Sequence, residues 1–222
     1  MISICKPIVV IIDSGIGGVS ILRQLIEKHG CGNFLYYADN LYMPYGNKTV
    51  KWLKNRIENI ILELKTKYNI SQIVLACNTA STCFNETCNN VVTMKFNKNN
   101  TYLATQLTQK NKPDINIIAD KTLAKLIEKH IFDEKRLTKI INRHLKISTL
   151  TNHKEIVLGC THYELIKPIF ENICPNIKFI NNSSFMLDEI KAPIVEDLNV
   201  IVLTSKKDEE LENKIFKLIE MG

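Results

Sequence analysis

The chain has 222 residues, of which 45% are hydrophobic and 23% charged, as expected for a globular protein with one large or two small domains. No apolar run approaches the roughly 18 residues of a membrane-spanning helix, so we expect no membrane segment. The net charge of +6 comes from scattered lysines rather than one basic stripe, and we therefore expect no nucleic-acid partner. A positive balance does suit an anionic small substrate.

The cysteine content favours reduced thiols over a disulfide framework. Seven cysteines are present, which is an odd number. The apolar stretch over residues 1–13 lacks a small-residue cleavage site, so we expect no signal peptide. Together these features predict a cytoplasmic protein with free thiols.

The first half of the sequence alternates short apolar runs with amphipathic segments. Residues 8–12 are all β-branched, which is typical of a buried strand. The apolar residues of the segment 49–68 recur at helical spacing. We predict strands over residues 8–12, 34–38 and 73–76, and helices over residues 19–29 and 49–68.

The second half continues the alternation after a polar, asparagine-rich stretch over residues 89–100, where we assign no element. We predict strands over residues 102–104, 115–119, 155–158, 178–180 and 200–203, and helices over residues 121–132, 134–145, 164–173 and 209–220. Strands that alternate with helices predict an α/β fold with mainly parallel sheets.

Four polar or reactive segments follow predicted strands or turns. They are Asp13-Ser14, Pro44-Tyr45-Gly46, Cys77-Asn78-Thr79 and Cys160-Thr161-His162. Ligands of parallel α/β sheets bind beyond the carboxyl ends of the strands. We therefore expect these four segments to meet in one site.

Cys77 and Cys160, 83 residues apart, share one local pattern: a strand, the cysteine, a nearby hydroxyl residue and a predicted helix start. A helix N-terminus stabilises a thiolate and lowers the pKa of the cysteine, and its amides also hold a carboxylate. Inverting a carbon centre through a planar carbanion requires a proton acceptor and a proton donor on opposite faces. Two such thiols would satisfy that requirement.

Five motifs, in this order, resemble the signature set of the glutamate racemases, which belong to the aspartate/glutamate racemase superfamily. The motifs are residues 13–18 (DSGIGG), 37–40 (YADN), 44–46 (PYG), 76–81 (ACNTAS) and 159–163 (GCTHY). The resemblance is close over residues 8–83 and about 155–168, and loose elsewhere.

The resemblance implies two pseudo-symmetric, Rossmann-like α/β domains with the active site between them. The first domain would comprise residues 1–92 plus about 193–222, and the second residues 93–192, approximately. The interval between the two cysteines is shorter than the family pattern by about 30 residues, which is roughly one supersecondary unit. The second domain is therefore expected to be reduced.

The resemblance also implies an activity: interconversion of L- and D-glutamate without cofactor or metal, which supplies D-glutamate for peptidoglycan. Cys77 would be the base for the D-isomer and Cys160 the base for the L-isomer. Asp13 would assist Cys77, while His162 and Glu128 would assist Cys160. The residues expected to hold the acidic amino-acid substrate are Ser14, Pro44, Tyr45, Gly46, Asn78, Thr79, Thr105 and Thr161.

Several alternatives stay open at this point. Aspartate racemisation is the nearest, and the shortened middle also allows a protein that binds an acidic amino acid or a partner without turnover. A thiol redox protein would need the Cα atoms of the two cysteines within about 7 Å of each other. The glycine turn 13–18 departs from the dinucleotide fingerprint, and no Cys-x-x-Cys pair indicates a metal.

The remaining five cysteines are interpreted as packing residues, and a homodimer is left open. These cysteines are Cys5, Cys31, Cys83, Cys88 and Cys174.

Overall fold

Two parallel sheets form the frame of the computed structural model, which describes residues 6–84, 90–145, 147–193 and 195–221. The strands are β1 (Ile8–Asp13), β2 (Gly32–Ala38), β3 (Ile70–Leu75), β4 (Val91–Thr93), β5 (Thr101–Thr105), β6 (Asn116–Asp120), β7 (Glu155–Gly159), β8 (Lys178–Asn181) and β9 (Leu198–Thr204). The first sheet has the order β4-β3-β1-β2-β9 and the second the order β6-β5-β7-β8. Every pairing between these strands is parallel. The predicted α/β class with parallel sheets is confirmed.

The chain crosses from the first sheet to the second between β4 and β5 and returns between β8 and β9. The predicted domain bounds at residues 92/93 and about 192/193 stay a prediction, and the first of them falls inside β4.

Helices and short turns connect the strands. The helices are α1 (Val19–His29), α2 (Val50–Lys67), α3 (Asn78–Ser81), α4 (Gln106–Asn111), α5 (Leu123–His130), α6 (Glu134–His144), α7 (Ile147–Leu150), α8 (Thr161–Leu165), α9 (Lys167–Ile173) and α10 (Glu209–Glu220). Short 3-10 turns lie at Asn40–Tyr42, Tyr45–Asn47, Asn182–Phe185 and Leu187–Glu189. None of the helices in the described ranges is long and apolar enough to cross a membrane.

The central strand β1 is buried on both faces, which explains its continuous apolar sequence. Successive side chains of a strand point to opposite faces. Val9 and Ile11 accordingly pack with α1 and α10, whereas Val10 and Ile12 pack with α2. Helices thus cover both sides of the first sheet and hold the carboxyl ends of its strands in fixed positions.

The second sheet is covered unequally. One face packs through Leu103 and Leu158 against α5, α6, α8 and α9. On the other face, the buried cluster among the described residues has only four members, which are Tyr102, Ala104, Ile117 and Val157. The thin cover of this face is consistent with a reduced second domain.

Three details of the predicted elements were wrong. Residues 91–93, within the stretch left without an element, form the strand β4. The short helices α4 and α7 were not predicted. The helix predicted over 164–173 is two helices, α8 and α9, because Pro168 has no N–H to continue the hydrogen bonding of α8. Cys5 and Cys88 lie outside the described residues.

Candidate active site

One cavity of about 30 Å³ lies where the carboxyl ends of β1, β3, β5 and β7 face each other across the two sheets. The residues that line it are Ser14, Met43, Pro44, Tyr45, Gly46, Cys77, Asn78, Thr79, Thr105, Ala124, Lys125, Cys160, Thr161 and His162. All four sequence segments expected to meet are therefore adjacent here, together with Thr105. Asp13 and Glu128 lie behind this lining and contact it through hydrogen bonds.

Cys77 is the N-cap residue of α3 and comes directly after β3. Its Sγ lies 4.0 Å from Ser14 Oγ. Burial raises the pKa of the Cys77 thiol well above its ordinary value, and the nearby charge of Asp13 raises it further. The backbone N–H of Ala80 in α3 lowers this pKa, as expected for a helix start, but the effect of burial is larger and the net shift is upward. Cys77 is a thiol at neutral pH.

Cys160 is the N-cap residue of α8, in the same relation to β7. Its neighbour His162 is buried, and His162 Nε2 lies 2.6 Å from Glu128 Oε2. Burial alone would lower the pKa of His162, but hydrogen bonds to Cys160 and Glu128 raise it well above its ordinary value. A protonated imidazole thus lies beside the sulfur of Cys160, where it stabilises negative charge.

Two carboxylates connect the two lobes across the cavity, where a lobe is one sheet with the helices that cover it. Asp13, at the end of β1, accepts hydrogen bonds from Gly15 N at 2.9 Å and from Thr161 Oγ1 at 3.1 Å. Burial raises the pKa of Asp13, while the charge of His162 partly opposes that effect. Glu128, on α5, accepts from Ile16 N at 3.1 Å. Asp13 of the first lobe therefore contacts the loop of Cys160. Glu128 of the second lobe contacts the loop after β1, which also carries Ser14 beside Cys77.

Polar groups suited to a carboxylate lie next to the cysteines. Asn78 Oδ1 accepts from Asn182 Nδ2 at 2.6 Å, but Asn78 Nδ2 is buried without a hydrogen-bond partner in the described part of the chain. The hydroxyls of Thr79, Thr105 and Thr108 form a triangle with separations of 2.9 to 3.4 Å. A carboxylate oxygen would satisfy the Asn78 amide, since buried donors are normally paired.

The ring of Tyr45 is held in place by the ion pair of buried Asp39 with partly buried Arg56. Its hydroxyl donates to Asp39 Oδ2 at 2.7 Å, and Arg56 Nε and Nη2 bind the two oxygens of Asp39 at 2.9 and 2.7 Å. This bidentate geometry holds the turn of Pro44 and Gly46 rigidly against the cavity.

Sequence reasoning missed several of these neighbours. Thr108 follows Thr105 by three residues, and its N–H is capped by the Thr105 hydroxyl, a pattern that could have been noticed. Arg56, Asn182 and Lys125 carry no comparable local signal, because only the tertiary fold brings them to the site. Among the described residues, no three His, Cys, Asp or Glu side chains cluster as a metal site requires.

Comparisons with known proteins agree on one family, although no family model matches the chain. The chain is 30% identical to the glutamate racemase of Buchnera aphidicola subsp. Schizaphis graminum, over 94% of each protein. It is 25% identical to the glutamate racemase of Clostridium acetobutylicum, over 95% of this chain and 96% of the relative. The crystal structure of glutamate racemase from Thermus thermophilus, in complex with beta-chloro-D-alanine, matches with a TM-score of 0.81 at 21% identity, over 96% of this chain and 93% of that one.

The alignment with the Clostridium protein also bears on the length of the chain. Its 248 positions exceed the 222 residues here, so at least 26 positions of the relative have no counterpart. The expected shortening is of the interval between the two cysteines, and that location stays a prediction. The identity to the Buchnera protein over nearly the whole of both chains is decisive: the chain belongs to the glutamate racemase family.

Proposed function

We propose that the chain interconverts L- and D-glutamate by a two-cysteine proton transfer at the α-carbon, without a cofactor. The observation that carries the proposal is the placement of Cys77 and Cys160, from separate sheets, in the lining of one cavity. Because the two sulfurs come from separate sheets, we assign each to a different face of the substrate. Family membership supports the same reaction.

In the L-to-D direction, the Cys160 thiolate removes the α-proton, so that the C–H bond breaks and an S–H bond forms. The Cys77 thiol then donates its proton to the opposite face, and its own S–H bond breaks as the new C–H bond forms. The D-to-L direction reverses both steps. The donor role of Cys77 in this direction fits its burial, which raises its pKa and keeps it a thiol, while His162 adjoins Cys160.

The carbanion formed between these steps needs a neighbouring cationic or hydrogen-bonding group at its carboxylate. The Asn78 amide, which has a free donor, and the hydroxyls of Ser14, Thr79 and Thr161 are the groups we assign to the substrate. Tyr45 and Gly46 form another part of the cavity lining. Asp13 and Glu128 act through their contacts with Thr161 and His162 rather than by touching the substrate.

The cavity must widen to admit glutamate. A volume of about 30 Å³ has room for about two water molecules, whereas the substrate has ten non-hydrogen atoms. We infer that the two sheets separate for binding and close for reaction, which excludes water from the carbanion.

The proposal extends to the setting of the reaction. D-glutamate would serve peptidoglycan synthesis, as the family resemblance implies. The cytoplasm is the proposed location, since reducing compartments keep thiols free, and the cysteines Cys31, Cys77, Cys83, Cys160 and Cys174 are all free in the structure.

The test is racemisation by the purified full-length chain, followed by circular dichroism with each isomer of glutamate and of aspartate. Exchange of the α-proton for deuterium gives a second readout. We expect turnover of glutamate, and a fall of about 10²- to 10⁴-fold in kcat for Cys77→Ser and for Cys160→Ser. The matched control is Cys31→Ser, outside the site, which should retain activity. Full activity in either site variant would refute the roles, and turnover of aspartate alone would replace the substrate.

A further inference from the structure

One basic side chain in the lining of the cavity, that of Lys125, has no role in the proposed reaction so far. His162 and Lys125 are the basic side chains in the lining that the described residues provide. His162 is already bound to Glu128, and Asp13 adds a second carboxyl nearby. A dicarboxylic amino acid brings two further carboxylates against one ammonium group. Lys125 is the remaining basic side chain in the lining that the described residues provide.

Lys125 lies in the first turn of α5 and is exposed at the mouth of the cavity. It has no hydrogen bond or salt bridge to any other described residue, so its ammonium group is available to a ligand. The neighbouring residues Leu123 and Ile127 point into the core and hold α5 against the second sheet. The backbone of Lys125 is therefore fixed while its side chain is free to reach.

A second small cavity shows where Lys125 lies relative to the cavity that contains the two sulfurs. This outer cavity has a volume of about 40 Å³ and is lined by Pro44, Gly46, Asn47, Thr105, Gln106, Asp120, Lys121, Ala124 and Lys125. Five of these residues also line the inner cavity that contains the sulfurs: Pro44, Gly46, Thr105, Ala124 and Lys125. The two spaces therefore share one wall, and Lys125 lies in it.

We propose that Lys125 binds the side-chain carboxylate of the substrate and thereby selects dicarboxylic amino acids. The inference rests on the proposed function and names the specificity determinant of that same site. With the α-carbon between the two sulfurs, the α-carboxylate is served by Asn78 and the nearby hydroxyls. The distal carboxylate then extends toward the shared wall, where Lys125 is the cation within the lining.

The matched control lies on the same face of the cleft. Lys121, four residues earlier and also exposed, lines the outer cavity but not the inner one. A general electrostatic attraction of the anionic substrate would involve both lysines, whereas direct pairing involves Lys125 alone. Comparison of Lys125→Met with Lys121→Met separates the two effects without changing side-chain length much.

The experiment measures racemisation and, by calorimetry, binding of D-glutamate and D-glutamine to the full-length wild type and both variants. We expect Lys125→Met to raise KM and Kd for D-glutamate about tenfold, with little change in kcat. Binding of D-glutamine, which lacks the distal charge, should change less than about twofold. Lys125→Arg should recover most of the affinity, and Lys121→Met should resemble the wild type.

Each other outcome overturns the assignment or its premise. Equal losses for glutamate and glutamine, or equal effects of Lys121→Met and Lys125→Met, would contradict pairing with the distal carboxylate. Unchanged binding of glutamate in Lys125→Met would also contradict this pairing, but it would not contradict the proposed racemase reaction. A wild type that binds glutamate without turnover contradicts the proposed reaction, but its Kd values still test Lys125. A wild type that neither binds nor racemises glutamate removes both.

Discussion

Cys77 and Cys160 lie at equivalent positions of two strand-to-helix junctions but have different neighbouring side chains. Each follows a buried parallel strand and caps a short helix, α3 or α8. Beside Cys77 lie a hydroxyl and a buried carboxyl, whereas Cys160 has the ion pair of His162 and Glu128. The backbone positions the two sulfurs, and the neighbouring side chains give each sulfur a different electrostatic environment.

The two halves also depend on each other. Thr161, from the loop of Cys160, donates to Asp13 at the end of β1, and Glu128 accepts from Ile16 in the loop after β1. These contacts exist only while the lobes are together. We therefore expect closure of the two lobes to be coupled to catalysis.

The largest effect should come from the side chain that distinguishes the halves. His162→Asn removes the cation beside Cys160, and we expect kcat/KM for glutamate to fall about 10²- to 10⁴-fold. Ser14→Ala, on the Cys77 side, should cost only about tenfold, since it removes one 4.0 Å contact with Cys77 and one neutral hydrogen bond to the substrate. Steady-state circular dichroism measures both, and His144→Asn, an exposed histidine outside the site, is the control.

The direction of the reaction gives a sharper readout. The equilibrium constant between mirror-image isomers is one, so kcat/KM must fall equally for L- and D-glutamate. The isotope effect of α-deuterium, in contrast, can differ between the two isomers. We expect it to rise in His162→Asn mainly for the isomer whose α-proton faces Cys160. Similar losses for His162→Asn and Ser14→Ala would mean that the halves are chemically equivalent after all.

A second prediction concerns the contact between the halves. A Cβ atom at Gly17 would clash with Thr161 Oγ1, and would lie 2.6 Å from His162 Nδ1 and 2.9 Å from His162 N. Gly17→Ala must therefore displace the loop of Cys160, and misplacement of about 1 Å costs about 100-fold in rate. The expected result is a lower kcat with the fold retained.

Gly46→Ala is the steric comparison, because its Cβ would meet nothing closer than 3.8 Å. Thermal melts should show that Gly46→Ala folds like the wild type. A Gly17→Ala enzyme with wild-type kcat would show that the two loops can move apart without consequence, which would weaken the coupling of closure to catalysis.

Sequence patterns located the parts of the fold that follow from local rules. The helices α1 and α10 matched their predicted bounds, because Val19, Leu22 and Leu25, and likewise Leu211, Ile215 and Leu218, recur at helical spacing. The left-handed Gly30 ends α1 where the sequence indicates a stop.

Other features depend on partners distant in sequence and were out of reach. The strand β4 has three residues and exists because it pairs with β3. The raised pKa of Cys77 follows from burial that no local motif reports. Lys125 has the spacing of a solvated surface residue, and only the apposition of the two sheets brings it to the cavity. The motifs thus predicted most of the residues that line the cavity, but not Lys125 and not the electrostatics of the site.

The smallest expected effect concerns the helices themselves. Helix α3 carries no ionisable side chain, whereas α8 carries Glu164, whose buried carboxyl accepts hydrogen bonds from Ser20 of α1 and from Ser183. Burial raises the pKa of Glu164 from 4.5 to about 7, although the hydrogen bonds from Ser183 and Ser20 oppose that shift. The folded state therefore holds this proton more tightly than the unfolded state does.

The sign of the pH dependence follows from that difference. The contribution of Glu164 to stability is fully present below about pH 4.5 and is lost as the pH rises through about 7. Between about pH 5.5 and pH 7.5, the wild type should lose about 2 kcal/mol of unfolding free energy through this group. Glu164→Gln should remove that loss, and melting curves across this range should show a Tm that falls about 5 °C less than in the wild type. Glu58→Gln, an exposed carboxyl on α2, should leave the slope unchanged. If Glu164→Gln melts with the wild-type slope, the carboxyl is already ionised at pH 5.5, and α8 is no more sensitive to pH than α3.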